Sequence, residues 1–122
     1  MKAIEIINVY EALTKMAEKE MDLKTACIIA ENIKTLSIYK EKSEEKRDKI
    51  ILEYAEKDDD GNPIITENNN VKISNMPECN GKIVELLNTD LDVEIKKIPK
   101  SSLENLSLSP KDILPLLDYL SE

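Results

Sequence analysis

One stretch of this chain has residue types and spacing suited to inorganic chemistry: Tyr54 to Glu67, YAEKDDDGNPIITE. Glu56, Asp58, Asp60, Gly61 and Glu67 fall on positions 1, 3, 5, 6 and 12 of a calcium loop, where oxygens converge on one ion while a glycine turns the backbone sharply. Four features oppose that chemistry. Position 1 is Glu rather than the shorter Asp, and position 8, usually an apolar strand residue, is Pro63. Glu67 opens the extended-looking run ENNNVKIS instead of a helix, and no second loop pairs with it. The competing reading is a helix C-terminus entering a turn, with Gly61 at positive φ and Asn62-Pro63 starting an extended run. The turn is favoured, so no metal or cofactor is expected here.

Other reactive side chains are sparse. The chain has no His, the commonest general base near neutral pH. With Gly61 and Gly81 its only glycines, it cannot build a glycine-rich phosphate loop. Cys27 falls on the apolar face of an expected helix and reads as a small buried hydrophobe; Cys79, in PECNG, reads as a turn residue open to solvent. Their separation fits neither a metal-ligand set nor a disulfide framework, which points to reduced thiols. Arg47, the lone arginine, lies in a hydrated charged run. No residue is put forward as catalytic, cofactor-binding or metal-ligating, and an enzyme is not expected.

Composition narrows the partners. The 122 residues carry 17 Lys and Arg against 25 Asp and Glu, a formal charge of -8, which opposes direct nucleic-acid binding. Four Tyr with no Phe or Trp leave an aliphatic core and few platforms for stacking bases. Basic residues are interspersed with the acids, so ordinary protein-protein contact is favoured over nucleic-acid mimicry. The N-terminal stretch MKAIEIINVYEALTKMAEKE has acids within its apolar run and is not expected to be a signal peptide, and no run is long enough to span a membrane.

The elements follow from periodicity. Ile6, Val9, Tyr10, Leu13, Met16 and Ala17 are spaced as one face of an amphipathic helix. Asp22 is placed to cap a second helix whose face would be Ala26, Ile29, Ala30, Ile33 and Leu36, packed on the first as a hairpin. KEKSEEKRDK, Lys40 to Lys49, has alternating charges that can stay helical while hydrated. A helix from Lys24 to Glu56 would be about 50 Å long, so it should bend or break near Ser43, overhang the core or meet a second subunit. Homo-oligomerisation through this helix is therefore expected.

Pro63 to Thr66 and Val71 to Ile73, joined by asparagines, predict a small β-hairpin, and Met76-Pro77 opens a weaker helix. Leu91, Val93 and Ile95 alternate as in a half-buried strand that Pro99 stops. Ser109-Pro110-Lys111-Asp112 predicts a capped terminal helix with Ile113, Leu114, Leu116, Leu117 and Leu120 on its apolar face, distorted by Pro115. The expected fold is α+β and mainly helical: one domain over 1–122, with a helical hairpin at 1–56, a small α+β part at 57–122 packed on it, and a two- or three-stranded sheet.

This order of features resembles a family of small uncharacterised proteins encoded by tailed phages and prophages of low-GC Gram-positive bacteria. The resemblance rests on INVYEALTKMAEKEMDLKTACIIAENIK (Ile7 to Lys34), RDKIILEYAEKDDDGN (Arg47 to Asn62), LLNTDLDVEI (Leu86 to Ile95) and LSPKDILPLL near the end. Ser43 stands where the family usually keeps an apolar or aromatic residue in the middle of its long helix. The resemblance implies phage origin and expression in the host cytoplasm, and it transfers no site residues. With acidity and sparse catalytic equipment, it leads to the expectation of a non-catalytic binder that antagonises a host protein. The alternative is an accessory of phage head or tail assembly, with a host or phage protein as the partner in either case.

Overall fold

A computed structural model describes all residues, 1–122. The fold is α+β and mainly helical. Helix α1 is Ala3–Met16, α2 is Leu23–Tyr54, α3 is Met76–Leu87 and α4 is Pro110–Ile113. Short 3-10 helices cover Lys100–Leu103 and Leu114–Tyr119, and the two-residue strands β1, Ile98–Pro99, and β2, Leu120–Ser121, pair in parallel. No helix is long and apolar enough to cross a membrane.

The chain forms two compact units, Met1–Glu41 with Asp90–Glu122, and Lys42–Thr89. The division falls in the middle of α2 instead of at the expected residue 56, and the C-terminal segment belongs with the N-terminal hairpin. Helix α2 runs its 32 residues with no break near Ser43. Each unit contains part of this helix, the first its residues up to Glu41 and the second those from Lys42.

In the first unit, Ile6, Val9, Leu13 and Met16 of α1 meet Ile29 and Leu36 of α2 in one aliphatic core with Val93, Ile98, Leu103 and Leu116. Asp22 caps α2 as expected: its carboxylate accepts from the Thr25 amide at 3.1 Å and the Thr25 hydroxyl at 2.7 Å. The buried stripe of α2 is rotated from the expected face. Thr25 and Asn32 are each 1% exposed, whereas Ala30 is exposed.

Asn32 explains the rotation and also corrects the strand expected at Leu91 to Ile98. Its Nδ2 donates to the Lys96 carbonyl and its Oδ1 accepts from the Lys96 amide, both at 2.9 Å, as a neighbouring strand would do. Leu91 exchanges hydrogen bonds with the backbone of Met1, and the Tyr39 hydroxyl donates to the Asp92 carbonyl at 3.4 Å. Burial does alternate, with Val93 inside between Asp92 and Glu94 outside. Alternation reports one-sided burial; here side chains of α2 and the first residue replace the ladder, and only Ile98–Pro99 is a strand.

In the second unit one isolated antiparallel bridge, Ile65 with Val71, joins the two runs of the expected hairpin, and two more, Ala55 with Ile73 and Lys57 with Pro63, tie those runs to the residues that follow α2. Glu56 donates to the Lys72 carbonyl, Lys72 to that of Ile64, and Ile64 to that of Glu56, closing three extended segments into a ring. Gly61 at φ 81° and Asn69 at φ 62° form its turns, conformations that suit these residue types. Helix α3 is capped by Asn75, whose side chain accepts from the Glu78 amide at 3.3 Å. This unit buries Ser43, Ala55 and Cys79 and no large aliphatic side chain.

Candidate functional site

The acidic stretch adopts the turn. One carboxylate oxygen of Asp58 accepts from the amides of Asp60 and Asn62, at 3.0 and 2.9 Å, and Glu56 pairs with Lys72 at 3.1 Å. These acids thus serve their own backbone and a neighbouring ammonium, and no group of three His, Cys, Asp or Glu side chains is arranged to hold a metal ion.

The two cysteines exchange their expected environments: Cys27 is exposed and Cys79 buried. Cys79 is inside because PECNG is the start of α3 and not a turn; Cys27 is outside because the Asn32 contact rotates α2. Arg47 lies in the exposed charged run and pairs with Asp48 at 3.4 Å. A cavity of about 480 Å³ lies beside the Asn32 clamp, but Glu31 and Lys96 at its edge form an ion pair with each other.

The surface feature with the clearest physical cause is at the C-terminus. Ser109 caps α4 as expected, its hydroxyl accepting from the Asp112 amide at 3.2 Å. Pro115 has no amide to continue the α-helical ladder, and the chain tightens into the 3-10 helix Leu114–Tyr119. With three residues per turn, Ile113, Leu116 and Tyr119 form an inner row, in which Leu116 is fully buried. Leu114 and Leu117 form an outer row, 66% and 53% exposed. Sequence periodicity assigns Leu114, Leu116, Leu117 and Leu120 to one apolar face; the change of period, signalled by Pro115, turns Leu114 and Leu117 out.

Two adjoining cavities, of about 290 and 280 Å³, run between α1 and this 3-10 helix and share Asn8, Leu114 and Pro115. Glu5 and Asp118 border the first; Glu11, Lys15, Lys111 and Asp112 border the second. Tyr119 steadies the first end by donating its hydroxyl to Glu5 at 3.2 Å. Burial, and then the Glu5 carboxylate, push the Tyr119 phenol above its ordinary pKa. Chemically this surface presents the exposed aliphatic side chain of Leu114 flanked by charges of defined position. No family model, curated protein or solved structure matches the chain.

Proposed function

We propose that this protein is a phage-encoded, non-catalytic binder that acts in the host cytoplasm and antagonises a host protein, with an anti-phage defence component as the target class. The phage origin rests on the resemblance of Ile7 to Lys34, Arg47 to Asn62 and Leu86 to Ile95 to the prophage family. The observation that supports binding is the outward row of Leu114 and Leu117 beside the cavities along α1. Exposed aliphatic side chains cost free energy in a lone molecule, and burial against a partner recovers about 25 cal/mol per Å² of apolar surface. The net charge of -8 favours approach to a basic partner surface.

Affinity capture from infected cells tests the reading. The expected result is a host protein held in fixed stoichiometry, with its activity falling as the complex forms. Recovery of phage head or tail proteins alone would support the assembly reading instead and overturn antagonism.

A further inference from the structure

We propose that the channel between α1 and the C-terminal 3-10 helix receives a basic amphipathic helix of the partner, oriented by the charge difference between its two ends. The proposal rests on the binder reading and specifies its surface. On the α1 wall, Glu5, Asn8, Ala12 and Lys15 recur at intervals of three and four residues and so share one face. From Glu5 to Lys15 that face is about 15 Å long, the span of nearly three helical turns. The opposite wall supplies Leu114, 66% exposed, and its outer row continues to Leu117.

The occupant's conformation follows from these walls. Both are helical, so neither offers the row of unpaired backbone groups that a β-strand partner needs. Recognition must come from side chains entering the channel, as when aliphatic residues at i, i+3 or i+4 and i+7 of a helix seat in a groove. The occupant's charge follows from the borders. Glu5 and Asp118 stand at one end, where the Lys97 ammonium reaches the Asp118 carbonyl and lies over the Tyr119 ring, while Lys15 and Lys111 stand with Glu11 and Asp112 at the other. With Lys97 counted, four carboxylates face three ammonium groups, and the surplus carboxylate at the Glu5 and Asp118 end selects a net-basic helix. The uneven distribution places its cations at the Glu5 and Asp118 end.

The test uses two labelled, end-blocked helical peptides with leucines at i, i+3, i+4 and i+7, one with lysines on its polar face and one with glutamates. Fluorescence anisotropy is measured with the full-length protein and its variants. The lysine peptide is expected to bind more tightly than the glutamate peptide. Leu114→Asp should weaken it by about tenfold or more, and Asp118→Lys should reduce the preference for lysine. Ile65→Asp, in the other unit, should leave binding unchanged. All three positions are exposed, and an unchanged thermal midpoint confirms that each variant folds.

Equal binding of both peptides, no binding of the lysine peptide, or insensitivity to Leu114→Asp would overturn the proposal. So would light scattering that shows a dimer lost in Leu114→Asp, because a second copy would then be the occupant. The capture experiment separates this proposal from the binder reading. If Leu114→Asp still captures and inhibits the host protein, the channel assignment fails and antagonism stands. If the native protein captures only phage structural proteins and Leu114→Asp loses them, the channel stands and antagonism fails.

Discussion

Asn32 illustrates how far a single residue can act beyond its own element. Its amide satisfies both the N–H and the C=O of Lys96, 64 residues away, and only one orientation of the amide does so, with Oδ1 toward the N–H. Nothing in the local sequence marks it, because its partner is distant backbone. By contrast the caps Asp22, Asn75 and Ser109 involve residues three positions away; Asp22 and Ser109 were legible in sequence. Asn32→Ala should cost about 2–3 kcal/mol in urea unfolding, from two lost hydrogen bonds and the space left behind. Asn32→Asp should cost more at neutral pH, since it sets a buried carboxylate against the Lys96 carbonyl. A loss within experimental error for both would show that the clamp is not structural.

Asp22 carries a pH signature. Hydrogen bonds from the Thr25 hydroxyl, and then from the Thr25 amide, hold its carboxyl below the ordinary range. Its contribution to stability is therefore present above the unfolded value, about pH 4, and is lost as pH falls through the lower folded value. Asp22→Asn keeps a capping oxygen but cannot titrate, so the difference in thermal midpoint between native and variant should shift in favour of the variant on acidification. A difference independent of pH would refute this role.

At the scale of elements, periodicity revealed the helices but not their partners. The alternation of Leu91, Val93 and Ile95 was real as burial and misleading as a strand, because α2 side chains take the place of a ladder. Pro115 foretold a distortion, yet its consequence required knowing the new period: three residues per turn put Leu116 inside and Leu114 and Leu117 outside. Part of the candidate surface was thus encoded in a residue that sequence reading treated as a flaw. Pro115→Ala restores an amide that can bond to the Lys111 carbonyl, and is expected to increase the helical circular dichroism and weaken lysine-peptide binding. An unchanged spectrum with unchanged binding would contradict the link between proline, period and exposed leucines.

For the whole molecule, the two units differ in what they bury. The first contains every member of the main aliphatic core, while Lys42–Thr89 buries Ser43, Ala55 and Cys79 and leaves Leu52, Ile65, Met76 and Val84 about half exposed. A unit of this size with so little apolar burial opens readily. Native-state hydrogen exchange should accordingly give α3 lower protection than α1; equal protection would mean that the units unfold together. The expected division at residue 56 missed this difference because sequence alone did not show that the segment from Asp90 returns to the N-terminal hairpin.

In the proposed reading the protein occupies its partner without transforming it. The most direct measurement is a titration of this protein into the purified host partner recovered by capture, with the partner's activity read after each addition. Activity should fall in proportion to the complex formed and reach its floor at the complex's stoichiometry, with no further change over time. Complete loss at far below one equivalent, progressing with time, would mean turnover and contradict the account.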